Sequence, residues 1–199
     1  MKQVVVIHGG DTYDTYEAYL ASLKNFTVEN IDFFRPHPSW KSGLQDALGT
    51  AYEVLTPRMP NSNNARYEEW KLWFEKLVPF LDGGVILIGH SLGASFLVRY
   101  LAENEFSKTI AATLLVAAPH TIDGDHPLGE FTAPASLSLL EQQGGKLFLY
   151  HSKDDKIVSF SELAKFEASL PSATVRVFTD RGHFNQETFP ELVADIKSV

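Results

Sequence analysis

Four branched apolar residues, Val85-Ile86-Leu87-Ile88, run straight into Gly89-His90-Ser91-Leu92-Gly93, and an apolar-periodic stretch begins at Leu92. A buried strand, a cramped turn and a helix are required in that order. The serine has no room on such a turn unless glycines flank it two residues away on each side. The turn then projects the hydroxyl beyond the sheet edge. It also presents the N-terminus of the following helix, with the Leu92 N–H, to any charge developing there. The bland alternative is a serine that merely caps the helix. His90 lies inside the motif but points elsewhere on a turn of this kind, and is read as structural.

The same alternation extends along the chain. Short apolar runs at Val4–His8, Tyr52–Leu55, Val85–Gly89, Thr113–Ala118, Leu147–His151 and Thr174–Thr179 read as strands. Most lack polar alternation, as strands covered on both faces do. Helical periods occupy Thr15–Lys24, Trp40–Leu48, Ala65–Phe80, Leu92–Glu103, Ser136–Gln143, Ser159–Leu170 and Glu187–Lys197. This pattern predicts an α/β fold with a mostly parallel six-stranded sheet, joined by right-handed crossovers and covered by helices on both faces. A length of 199 residues suits one domain, 1–199, and no Pro/Gly/Ser-rich linker divides it.

Two segments exceed a minimal alternation. Residues 10–38 carry Tyr13, Tyr16, Tyr19, Phe33 and Phe34, and residues 119–134 are rich in Pro, Gly, Asp and His. Both follow the carboxyl end of a strand, where open α/β sheets build their crevice, so each is either a surface insertion or a pocket wall.

Charge and composition exclude several classes. A net charge of −8 without any Lys/Arg run gives no surface for tracking phosphates or anionic lipid. Zero cysteines remove thiol catalysis, thiolate metal sites and disulfides. The apolar start, Val4–Ile7, is too short for a signal peptide or a membrane span. A cytoplasmic protein without cofactor, metal, nucleic-acid or membrane partner is expected. Oligomeric state is not readable.

If Ser91 is a nucleophile, its partners should follow in the order carboxylate, then histidine. The fifth predicted strand ends in Ser152-Lys153-Asp154-Asp155-Lys156-Ile157-Val158. Asp155 is preferred over Asp154 because it occupies the turn feeding the next helix, whereas Asp154 reads as a solvated turn residue. After the last strand comes Gly182-His183-Phe184, which places His183 as general base. A second oxyanion donor should come from the loop after the first strand, Ile7-His8-Gly9-Gly10. The Gly10 N–H is chosen, with Gly9 and Asp11 as the register alternatives. His8 reads as a brace for that loop. His37, His120, His126 and His151 all lie away from the final loop. A zinc site from His120, Asp123, Asp125 and His126 matches no strong ligand spacing.

These residues, together with Val54-Leu55-Thr56-Pro57-Arg58-Met59-Pro60-Asn61, Val116-Ala117-Ala118-Pro119 and the Trp70/Trp73 helix, carry a likeness. The chain resembles the small serine hydrolases related to the retinoblastoma-binding serine hydrolases, a compact branch of the α/β-hydrolase superfamily. The resemblance implies a minimal core without extra antiparallel strands, and a triad mapping onto Ser91, Asp155 and His183. Segment 10–38 looks longer than its counterpart. Retinoblastoma binding is not implied, since the Cys-containing motif for it has no place in a chain without cysteine. The expected activity is hydrolysis of a small carboxylic ester or thioester through an acyl-serine, with short acyl chains preferred because no long cap segment exists. A silent binding module on the same fold is the alternative.

Overall fold

In the computed structural model, which describes residues 1–121 and 128–199, strands and helices alternate along the chain. In order they are β1 (Lys2–Ile7), α1 (Tyr16–Asn25), α2 (Trp40–Leu48), β2 (Tyr52–Leu55), α3 (Tyr67–Leu77), β3 (Val85–His90), α4 (Leu92–Glu103), β4 (Ile110–Val116), α5 (Ser138–Gln143), β5 (Lys146–Ser152), α6 (Ser161–Ser169), β6 (Thr174–Phe178) and α7 (Pro190–Lys197). All six strands pair in parallel, in the order β2-β1-β3-β4-β5-β6. The sheet is therefore wholly parallel, where the sequence predicted a mostly parallel one. The architecture is an α/β-hydrolase fold.

Alternate side chains on each strand feed two separate cores. One face carries Val5, Ile7, Leu87, Leu115 and Leu149, packed by Trp70 and Phe74 of α3, Phe96 and Leu101 of α4, Leu140 of α5 and Leu163 and Phe166 of α6. The other carries Val4, Val6, Ile86, Ile88, Leu114 and Tyr150, packed by Trp40 and Leu44 of α2 and Leu192 and Ile196 of α7. Covering both faces explains the unbroken apolar runs. Each fully buried Leu, Ile, Val or Phe is worth roughly 1.5–3 kcal/mol relative to exposure.

Boundaries shift where local chemistry decides them. The fourth strand begins at Ile110, three residues before its predicted start, and ends before Ala117, whose φ of 47° breaks the extended run. The third helix ends at Leu77 and tightens into a 3₁₀ turn over Val78–Phe80, because Pro79 has no N–H to continue the ladder. Helix α1 buries no residue, so the 10–38 segment lies on the sheet's carboxyl side as an outer layer. It exposes Phe26, Ile31, Phe33 and Phe34.

The strand order reverses between β1 and β3, where Ile7 pairs with Gly89. The loops after these two strands consequently diverge from adjacent starting points, which opens a crevice between them.

Candidate active site

Ser91 adopts φ 55° and ψ −125°, a conformation that only a tightly packed turn imposes on a non-glycine residue. Its N–H is fixed by the Val116 carbonyl at 2.9 Å, and its own carbonyl accepts from Ala94 at 2.8 Å. The flanking glycines are sterically obligatory. A Cβ on Gly89 would lie 2.6 Å from Ala94 N, and one on Gly93 would lie 2.5 Å from the His8 carbonyl and against that of Ile7. The second of these contacts shows that α4 docks onto the end of β1. That docking brings the Gly9 loop to Ser91: a Cβ on Gly9 would be 3.1 Å from Ser91 Cβ.

His8 holds this loop in shape. The Met59 N–H donates to Nε2 at 2.9 Å, so the ring proton sits on Nδ1, which donates to the Gly9 carbonyl at 2.7 Å. The brace expected of His8 is thus present, and both ring nitrogens are engaged. The Asp11 N–H donates to the Ser62 carbonyl at 2.8 Å and is unavailable to a ligand. Among the described residues no backbone bond consumes the N–H of Gly9, Gly10 or Leu92.

The histidine and the carboxylate meet. His183 Nδ1 lies 2.8 Å from Asp155 Oδ2, with the Asp155 side chain fully buried and that of His183 nearly so. The other Asp155 oxygen, Oδ1, accepts the N–H groups of Ile157 and Val158 at 2.8 and 3.0 Å. Burial alone would raise this carboxyl, but the bond to His183 and the two N–H donors outweigh it and hold the group below its usual range. Asp154 is exposed and turned the other way. It accepts from Ser152 Oγ and, at 3.0 Å, from the Gly182 N–H, so it ties β5 to the loop that carries His183. Gly182 and Phe184, on either side of His183, both have left-handed backbones, at φ 50° and 54°.

Ser91 and His183 are joined through the residue between them in space. His90 Nε2 donates to the His183 carbonyl at 2.8 Å, and the two imidazoles lie 5.0 Å apart. Lys41 approaches His90 Nδ1 at 3.4 Å. Burial, then the Lys41 charge, push His90 well below the ordinary histidine range, and burial lowers Lys41 itself to about 8. Trp40 adds two further holds on the same loop: its indole N–H donates to the Phe184 carbonyl at 2.8 Å, and its backbone N–H donates to the Gln186 carbonyl at 3.0 Å. Sequence reasoning placed His90 as structural but missed Trp40 and Lys41. Their only sequence signal was the Ser39 cap that starts α2 at Trp40. Among the described residues no hydrogen bond joins Ser91 Oγ to the His183 ring. Such contacts commonly tighten only once substrate is bound.

The loop after β4 is held by Glu162, a buried carboxylate that accepts the His120 and Thr121 N–H groups at 2.8 Å each. Of the conceivable zinc ligands, Asp123, Asp125 and His126 lie outside the described residues. Among those described, no cluster of three or more His, Asp or Glu side chains forms. No described helix is long and apolar enough to cross a membrane. A cavity of about 670 Å³ opens beside the Gly9–Gly10 loop, walled in part by His8, Tyr16, Tyr19, Arg58 and Ser62. Two tyrosines of the 10–38 segment are therefore pocket walls, while Phe33 and Phe34 stay on the surface.

Comparison with known proteins places the chain among serine hydrolases of this fold. Rat serine hydrolase RBBP9 is 30% identical over 162 residues, covering 80% of this chain and 83% of the rat protein. The putative hydrolase YdeN of Bacillus subtilis is 26% identical over 189 residues, covering 94% and 87% of the two chains. The crystal structure of the ydeN gene product from B. subtilis superposes with a TM-score of 0.74 at 22% identity, over 100% of this chain and 98% of that one. The esterase domain from a Rhodothermus marinus protein shares the fold at a TM-score of 0.59 and 17% identity, covering 98% and 82%. The serine hydrolase family model matches residues 35–191, and the chain belongs to that family.

Proposed function

We propose that this chain, acting as a single α/β-hydrolase domain, hydrolyses small carboxylic esters or thioesters through an acyl-Ser91 intermediate. The observation that carries the reading is the 2.8 Å contact between His183 Nδ1 and Asp155 Oδ2. An ionised carboxylate only accepts, so Nδ1 carries the proton and Nε2 keeps a lone pair with which to act as base. Ser91 Oγ attacks the ester carbonyl as His183 Nε2 takes its proton. The carbonyl oxygen, now negative, is met by the Leu92 and Gly10 N–H groups. The C–O or C–S bond breaks, and the alcohol or thiol departs with the proton from Nε2. Water then repeats the sequence on the acyl-serine, releasing the acid and restoring Ser91. Asp155 stabilises the imidazolium in both halves.

Electrostatic stabilisation by such donors typically contributes a factor of about 10² to 10³ per N–H. The free N–H groups on Gly10 and Leu92 support their assignment, and the bond from the Asp11 N–H to the Ser62 carbonyl favours Gly10 over Asp11. A fluorophosphonate probe tests the reading. A covalent adduct mapped to Ser91, and lost in Ser91→Ala, is expected. Folded wild-type protein that takes up no label would instead make the chain a binding module. A panel of 4-nitrophenyl esters should show turnover falling as the acyl chain lengthens beyond hexanoate. Faster turnover of decanoate would reassign the exposed aromatics of residues 10–38 as an acyl-binding lid.

A further inference from the structure

The cavity beside the Gly9–Gly10 loop has a charge that the rest of the protein does not. The chain carries a net charge of −8, yet two arginines, Arg58 and Arg66, line this one space against a single carboxylate, Glu69. That carboxylate is already engaged, accepting from Asn61 Nδ2 at 2.8 Å. Arg66 uses one N–H on the Tyr13 carbonyl at 2.9 Å. Among the described residues neither arginine forms an ion pair, and Arg58 forms no hydrogen bond at all.

The cavity also borders the loop that flanks Ser91. His8 lines it and directly precedes Gly9, which packs on Ser91. Ser62 lines it too, and its carbonyl sits 2.5 Å from where a Gly10 Cβ would lie. His8 and Ser62 thus face the cavity and also adjoin the Gly9–Gly10 loop.

We infer that this cavity recognises a carboxylate on the ester substrate, with Arg58 as its principal contact and Arg66 assisting. The guanidinium fork matches a planar carboxylate bidentately. The excess of one positive charge in the lining suits a monoanion, whereas a phosphate monoester approaches a charge of −2 near neutrality. The tyrosines from α1 supply an apolar wall with polar tips, which is suited to the short chain that separates the two carbonyl groups.

The inference rests on the proposed esterase reading, so its test must separate the two. One substrate pair places the charge on the acyl side: the 4-nitrophenyl monoester of adipic acid against its methyl diester. A second pair places it on the leaving group: 3-acetoxybenzoate against its methyl ester. For one of the pairs, the ratio of kcat/KM for charged over neutral substrate should exceed one at low ionic strength, and should fall about tenfold in Arg58→Gln. Added salt should shrink it as well. Equal ratios in wild type and Arg58→Gln for both pairs would overturn the inference. Adipate and benzoate binding to Ser91→Ala, measured by calorimetry, reads the cavity without any turnover. One of the two anions should bind about tenfold more tightly to Ser91→Ala than to the double variant that adds Arg58→Gln. Indifference of both anions to that change sinks the inference even if no ester is hydrolysed. Failure of the neutral esters alone to turn over would count against the esterase reading, leaving the calorimetric result to decide this one.

Discussion

His90 Nε2 donates to the main-chain carbonyl of His183 at 2.8 Å, so the residue adjoining Ser91 in the chain holds the backbone of the proposed base. Lys41 approaches the other nitrogen of His90, which fixes the tautomer that makes this donation possible. Replacing His90 by Phe keeps the ring volume and removes the donor. We expect kcat to fall by about ten- to a hundredfold with little change in KM, because misplacement of the base by even an ångström carries costs of that size. His90→Gln, which can still donate, should recover part of the loss. An unchanged kcat in His90→Phe would show that the His183 loop keeps its place without this bond.

The two adjacent aspartates should separate cleanly in kinetics. Asp155→Asn loses the carboxylate that selects the His183 tautomer, and kcat should drop by about 10³- to 10⁴-fold. Asp154→Asn removes only a surface tie between Ser152 and Gly182, and should cost less than about tenfold. Steady-state rates on 4-nitrophenyl acetate decide the matter, and the reverse ranking would exchange their roles.

His151, fully buried at the end of β5, makes stability depend on pH in a definite direction. Burial lowers it from 6.5 to about 4. As pH falls from 6.5 toward 4 the unfolded chain binds a proton that the folded chain refuses, so stability is lost across that window. The loss from this group approaches about 3 kcal/mol, at 1.36 kcal/mol per pH unit. Urea denaturation of His151→Phe should therefore show a shallower decline between pH 7 and pH 4 than wild type. Parallel declines would mean that His151 takes up its proton without unfolding.

Gly93→Ala tests how closely α4 is docked. The new methyl would be driven into the Ile7 and His8 carbonyls, which are backbone atoms and cannot rotate away. Destabilisation of about 3 kcal/mol or more is expected, read as a lower melting temperature together with slower fluorophosphonate labelling. Wild-type stability would mean that β1 and the elbow separate more readily than their spacing implies.

Much of this was legible in the sequence, because parallel strands covered on both faces and a serine elbow impose strong local patterns. Val85–Gly93 announced its own strand, turn and helix, and Asp155 and His183 followed from their places after successive strand ends. The Asp155 preference over Asp154 also matches their burial: one side chain is enclosed and meets His183, while the other is exposed. What could not be read was any relationship set by tertiary packing alone. The hold of Trp40 on Phe184 spans 144 positions and leaves no periodic trace. Nor does any local pattern reveal that Asp11 commits its N–H to Ser62, or that Tyr16 and Tyr19 wall a cavity while Phe33 and Phe34 do not. The parallel sheet itself was legible, since strands alternating with helices leave room only for parallel crossovers.

Helix α2 starts with Trp40, which grips the His183 loop, and Lys41, which meets His90, and the segment leading into it carries the tyrosines of the cavity. The part of the chain that supplies two walls of the cavity is thus continuous with the residue that holds the His183 loop. Insertions or deletions between residues 10 and 38 would tug on Trp40 as well as reshape the cavity. For this lineage, a change of diet and a change of pace are expected to arrive together.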